Sequence, residues 1–184
     1  IIAGDDVTLK WTSNINSAAN DESWGLLDVD VYTYDVCDAV PYEADFRHDG
    51  DDDWLFVGNS GGMTSCGGDV ILGGYNKFDY SDRAQKLVDL PLHSSMQVDF
   101  TFVKIDSWDS EYAYFSIDHS QKWAQAFTYS YGSAVCGSSN SNWNEAFIEK
   151  SFTVDHFAPW SWMQWWTALN EAANNEAWGL ASVK

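Results

Sequence analysis

Met96-Gln97-Val98-Asp99-Phe100-Thr101-Phe102 is the stretch that decides the fold. Met96, Val98, Phe100 and Phe102 fall on one side of an extended chain, and Gln97, Asp99 and Thr101 on the other. This period-2 pattern marks a strand with one buried face. Comparable strands are read downstream at 112–117, 123–129, 146–154, 161–169 and from Trp178 onward. Shorter ones are read upstream at 54–57, 70–72 and 85–90. The Gly/Ser-rich run 58–68 reads as a loop, Gly73-Gly74 as a tight turn, and Pro91 as the close of an edge strand. No helix of three turns is found. Eight to ten antiparallel strands in about 150 residues predict an all-β, jelly-roll-like sandwich of two sheets packed face to face.

The two ends of the chain repeat each other. Asn16, Ala18, Ala19, Asn20, Glu22, Trp24, Gly25, Leu26 and Val29 recur, at one constant offset, as Asn170, Ala172, Ala173, Asn174, Glu176, Trp178, Gly179, Leu180 and Val183. Residues 1–34 therefore read as the last two strands of a preceding unit, or as a donor segment, and 35–184 as one nearly complete unit. Packing of the leading strands into a neighbouring copy would build a tandem or polymerising array.

Charge narrows the partners. Nine Lys+Arg against 28 Asp+Glu give a formal net charge of −19, so a polyanion such as nucleic acid is repelled and divalent cations are favoured. Eleven Trp, nine Tyr and ten Phe suit broad pleated sheets. No apolar run is long enough to span a membrane as a helix, and a chain that starts at Ile1 reads as a mature or excised segment.

Two acidic motifs beside a Trp carry the metal chemistry. One is Lys104-Ile105-Asp106-Ser107-Trp108-Asp109-Ser110-Glu111; the other is Asn20-Asp21-Glu22-Ser23-Trp24-Gly25 with its copy Asn174-Asn175-Glu176-Ala177-Trp178-Gly179. Each gathers oxygen ligands in a short loop, which is what Ca²⁺ needs. If the loops meet at one end of the sandwich, Asp106, Asp109, Glu111, Asn175 and Glu176 share an ion. A second acidic run, with Asp49, Asp51 and Asp53 before Trp54, has calcium-loop spacing but no Glu at the twelfth position and no flanking helices.

Catalytic signals are weak. Gly58-Asn59-Ser60-Gly61-Gly62 matches a nucleophile elbow, but His48 is the only upstream His, and no strand-to-helix turn is read there. His48, His93, His119 and His156 show no metal-ligand spacing. Nothing singles out a pair of carboxylates for glycoside hydrolysis, so the chain reads as non-enzymatic. Cys66 and Cys136, each followed by Gly, suit a disulfide stapling two loops, leaving Cys37 for a neighbouring unit. Trp160, Trp162, Trp165 and Trp166 invite sugar stacking, yet alternation sends the rings to both faces, so at least half of them are expected in the core.

The run Ile71-Leu72-Gly73-Gly74-Tyr75-Asn76-Lys77-Phe78, then Leu90-Pro91-Leu92-His93, the 104–111 motif and the 174–179 motif together resemble a module of large secreted or surface proteins of ciliates and other protists. The resemblance covers most of residues 54–184. It departs from the pattern at Leu92, Asn175 and Ala177. It implies an extracellular, non-catalytic module and names no ligand. The first functional expectation is thus a structural repeat of an extracellular filament, coat or appendage, self-associating and stabilised by Ca²⁺. The alternative is a lectin-like, carbohydrate-binding adhesion module, and the third reading is a secreted hydrolase.

Overall fold

The alternation found in the sequence becomes ten strands: β1 (Leu55–Val57), β2 (Met63–Cys66), β3 (Asp69–Gly73), β4 (Arg83–Asp89), β5 (Ser95–Asp106), β6 (Asp109–Ile117), β7 (Ser120–Thr128), β8 (Ala146–Asp155), β9 (Trp160–Thr167) and β10 (Glu176–Val183). They form two antiparallel five-stranded sheets, ordered β1-β4-β9-β6-β7 and β2-β3-β10-β5-β8. The architecture is the jelly-roll-like β-sandwich expected from the sequence. This computed structural model describes residues 9–14, 16, 23–25, 40–48, 50–58, 61–139 and 142–184. The chain divides into two compact units, Ile1–Cys37 and Asp38–Lys184.

The sandwich lies wholly in the second unit. In the first, the described residues 9–14, 16 and 23–25 are outside any strand, and Trp24 is exposed. Its repeat partner Trp178 is fully buried in β10. The rest of 1–34, and with it most of the two expected leading strands, lies outside the described residues, as does Cys37. Among the described residues there is no helix long and apolar enough to cross a membrane, which says nothing of β-barrels.

Aromatic rings fill the space between the sheets. Phe102 of β5 stacks on Trp178 of β10 at 5.7 Å, and Trp165 of β9 packs on Phe115 of β6 at 4.8 Å and on Phe100 at 5.6 Å. Flat rings bridge the roughly 10 Å between packed sheets, and each buries a large apolar area. The repeated Trp-Gly pair has a packing cause. Trp178 enters the core, while a β-carbon at Gly179 would sit 2.6 Å from the Leu72 carbonyl oxygen of β3.

A smaller cluster of Cys66, Ile71, Val103, Ile105 and Ala177 lies apart from this core, with Cys136 packed on it. The bond between Cys66 and Cys136 is formed, as expected. It closes a loop with a sequence separation of 70, which the chain-entropy model values at roughly 4 kcal/mol.

The sequence reading of 58–68 as a loop is corrected. Residues Met63–Cys66 form edge strand β2, paired with β3 through Cys66↔Asp69. Gly67 (φ +63°) and Gly68 (φ +93°) make the two-residue turn, in which a left-handed backbone matches the twist of the flanking strands.

Candidate functional site

One sheet presents an aromatic face to the outside. Successive side chains of a strand alternate between the faces of a sheet. Ser161, Met163, Trp165 and Thr167 of β9 therefore turn into the sandwich and are buried, while Trp160, Trp162, Gln164 and Trp166 turn out. Neighbouring strands continue that outer face in register. Arg83 of β4 and Tyr114 of β6 lie opposite Trp166; Gln85 and Ser116 lie opposite Gln164; Leu87 lies opposite Trp162 and Asp89 opposite Trp160. Leu55 and Val57 extend it on β1 beside Gln85 and Arg83, and Ala124 and Ala126 on β7 beside Tyr114 and Tyr112.

The face is large, apolar and open. Leu55, Val57, Leu87, Tyr112 and Trp160 are each about half exposed, between 46% and 50%. Trp166, Tyr114 and Tyr112 stand as a row of parallel rings, with centroids 5.1 and 6.0 Å apart and planes within 21°. The Arg83 guanidinium sits 6.0 Å from the Trp166 ring. Apolar patches of this kind on a soluble domain mark binding surfaces.

The Trp160 end is pinned. The β6–β7 turn uses Asp118 (φ +49°) and His119 (φ +64°), both in the left-handed region. The Asp118 carboxylate accepts the Trp162 backbone N–H at 2.8 Å and contacts His156 Nε2 at 2.8 Å. His156 Nδ1 meets His93 Nε2 at 2.6 Å. His93 and His156 are thus held in hydrogen bonds.

The expectation that at least half of the four clustered Trp lie in the core is corrected. Trp165 alone is buried, because positions 160, 162 and 166 share one parity. Tyr112, Tyr114, Arg83, Gln85, Gln164 and Ser116 were not singled out from the sequence. Their alternation was legible, but their meeting depends on pairings between strands distant in the chain.

The two acidic motifs meet at one end of the sandwich. Glu176 pairs with Asp106 across β10 and β5, and Ser107 Oγ donates to the Asn175 carbonyl at 2.8 Å. Trp108 anchors the loop through Nε1, which donates to the Ala177 carbonyl at 2.9 Å. Asp109, Glu111 and Glu176 offer carboxylate oxygens all within 4.8 Å of one another. Burial, then the Asp109 side chain, push the Glu111 carboxyl up to about 7, and burial also raises Glu176. Asn170 caps the cluster, its Nδ2 donating to Glu111 and its backbone N–H to Glu176, both at 3.2 Å.

The other expected ligands are engaged elsewhere. Asp106 accepts the Ser138 N–H at 3.0 Å, and Asn175 Nδ2 donates to Glu171. Lys104, fully buried beside Asp106, donates to the Asp106 and Asn144 carbonyls at 2.6 Å, and burial pushes it down to about 8. In the second acidic run Asp51 accepts the Gly62 N–H at 2.7 Å, and Asp53 pairs with Lys86. Asp49 and Ser60 lie outside the described residues.

No family model matches this chain, and no curated protein matches it. Among solved structures it is similar to a family 35 carbohydrate-binding module from Clostridium thermocellum, at 12% identity and a TM-score of 0.42, over 79% of this chain and 98% of that one. It is similar to an exo-β-1,3-galactanase from Phanerochaete chrysosporium, at 12% identity and a TM-score of 0.42, over 79% of this chain and 29% of that one. A structure described as CBM4 aligns at 11% identity and a TM-score of 0.38, over 76% and 94%. The chain thus spans under a third of the galactanase.

The first functional expectation, a filament or coat repeat, is corrected. The similar solved chains include carbohydrate-binding modules and carbohydrate-active enzymes, alongside a dimeric latent PorU from Porphyromonas gingivalis, and none is described as a filament or coat repeat; at these identities and TM-scores the likeness is one of fold.

Proposed function

We propose that this chain is a non-catalytic carbohydrate-binding module of an extracellular or cell-surface protein, and that it holds glycans on the outer face of the β1-β4-β9-β6-β7 sheet. The observation that carries this reading is the row of outward aromatics Tyr112, Tyr114, Trp160, Trp162 and Trp166, interleaved with Gln85, Gln164 and Ser116. A sugar presents apolar C–H faces that sit on aromatic rings and hydroxyls that need both donors and acceptors; the rings and amides together offer both. The disulfide suits an oxidising compartment.

The reading of binding without turnover is supported by the burial of the two clustered glutamates. Glu111 and Glu176 are more than nine-tenths buried and hydrogen-bonded within the chain, out of reach of a glycosidic oxygen. A shallow hollow of about 330 Å³ over Asp99, Thr101, Glu149, Lys150 and Ser182 lies on the opposite sheet. Tryptophan and tyrosine are absent from its lining, so it is a poorer seat for a sugar ring. A screen of the chain against immobilised neutral and acidic glycans tests the reading. Retention on a neutral glycan supports it, and retention on none rejects it.

A Ca²⁺ ion held by Asp109, Glu111 and Glu176 belongs to the same reading, as a brace for the sandwich end rather than a sugar ligand. The sign of its pH dependence is fixed. Glu111 is raised from 4.5 to about 7 in the fold, so the folded chain binds the extra proton between those values. The contribution of Glu111 to stability is therefore greatest below about 4.5 and falls as pH rises towards 7, by up to about 3 kcal/mol. Added Ca²⁺ is expected to raise the melting temperature at pH 8 by several degrees and to do little at pH 5. Glu111→Gln is expected to flatten both responses. Equal melting with Ca²⁺ and with a chelator at pH 8 rules the ion out.

A further inference from the structure

Resting on the reading of this sheet face as a glycan site, we infer that it takes an internal stretch of a neutral, extended polysaccharide laid across the strands. The seat is a polar row between aromatic walls. Gln85, Gln164 and Ser116 face one another in register across β4, β9 and β6, and Gln121 of β7 pairs with Ser116 just beyond a bulge at Lys122. One step along the strands on one side stand Trp166 and Tyr114; one step on the other stands Trp162. Ser116 is 2% exposed and Gln164 is 9% exposed, below half-buried rings on both sides, so the row is the floor of a trough.

Three observations select the occupant. First, the Ser116 hydroxyl is buried in the floor with no hydrogen-bond partner among the described residues. Buried polar groups are normally satisfied; this one has under 1 Å² of accessible surface, so a ligand hydroxyl reaches it only when a neighbouring floor side chain moves aside. Each glutamine amide both donates and accepts, as a row of sugar hydroxyls requires. Second, charge is nearly absent. In a chain of net charge −19, Arg83 and Asp89 are the charged residues at the outward positions of β4, β9 and β6, and Lys122 stands beside Gln121 on β7. A polyanion meets no cationic track here and is repelled by the rest of the protein. Third, both ends of the row are open. It runs from half-exposed Leu55 on edge strand β1 to exposed Gln121 on edge strand β7. With strands about 4.8 Å apart, the five positions span roughly 19 Å. That is room for about four sugar rings at one per strand step, with no wall to demand a chain end.

The test is calorimetry on the intact chain with neutral β-1,3- and β-1,4-linked oligosaccharides of two to six units, a polymer with reduced ends, and polygalacturonate. Affinity is expected to rise at least about tenfold from disaccharide to tetrasaccharide and then level off, with the end-reduced polymer bound and polygalacturonate not. Gln121→Ala, on the exposed edge, and Gln164→Leu are each expected to cost about three- to tenfold, and Ser116→Ala a similar amount, at unchanged melting temperature. Affinity equal from two to six units, or loss only on Trp162→Ala with every floor variant silent, overturns the trough while leaving the face as the glycan site. Polygalacturonate bound as tightly as neutral polymer overturns the neutral class. Failure of every neutral probe rejects the underlying face reading as well.

Discussion

Replacing Trp160 and Trp162 together by alanine is expected to weaken binding of a neutral polysaccharide by about 100-fold, with the melting temperature shifted by no more than a few degrees. The size follows from two anchors. Large aromatic side chains at the centre of a binding surface commonly contribute 1–2 kcal/mol or more each when truncated, and about 1.4 kcal/mol is tenfold in affinity. The small effect on folding follows from direction. Both rings leave the outer side of β9, Trp160 at 48% exposure, so their removal opens no cavity between the sheets. Affinity electrophoresis in gels cast with the polymer reads the first quantity and a thermal melt the second. A double variant that binds as the parent does removes the face from consideration.

Trp165→Ala is expected to do the opposite, lowering stability by roughly 3–5 kcal/mol while leaving the outward rings in place. Trp165 is fully buried. It touches Trp54 at 5.5 Å, Phe100 at 5.6 Å and Phe115 at 4.8 Å, so it ties the two sheets together. A loss of that size is a large share of the 5–15 kcal/mol that holds an ordinary domain, and for a chain of this length it corresponds to about 10 °C or more in melting temperature. The informative control is one residue away. Trp166→Ala, on the outer face, is expected to change stability by under about 1 kcal/mol. Urea denaturation of the two variants side by side measures both, and equal losses would mean that the parity of β9 has been misassigned.

The contrast between Trp165 and Trp166 also marks what the sequence could reveal. Alternation along Met96–Phe102 was enough to read a sandwich, because a period of two has one structural meaning when both faces are so unlike. The Cys66–Cys136 bond was legible too, from its flanking glycines; the meeting of the 104–111 and 174–179 motifs stood only as a condition, which the β5–β10 pairing fulfils. Strand β2 was hidden because Met63-Thr64-Ser65-Cys66 is short, weakly apolar and framed by glycines that otherwise signal a loop. Its Gly67-Gly68 turn was the available clue.

The binding face was harder to see for a different reason. Tyr112 and Tyr114 lie some fifty residues from Trp160 and Trp162, and Gln85 about thirty from Ser116. What makes them one surface is the β4-β9-β6 order, a set of long-range pairings that composition does not encode. The expected ion ligands were sorted by the same limitation. Asp106 and Asp109 are three apart in sequence, but a left-handed turn at Asp106 (φ +67°) sends the first towards Ser138 and leaves the second beside Glu111 and Glu176.

The account stands or falls on whether the outer sheet face is where a glycan sits. The direct measurement is a titration of the ¹⁵N-labelled chain with the polysaccharide retained in the screen, following the indole Nε1–H signals of its eleven Trp. The expected result is that Trp160, Trp162 and Trp166 shift together with added polymer while Trp54, Trp108, Trp165 and Trp178 hold still. Shifts confined to amides around Asp99, Glu149 and Ser182 on the opposite sheet, with those three indoles unmoved, would contradict it.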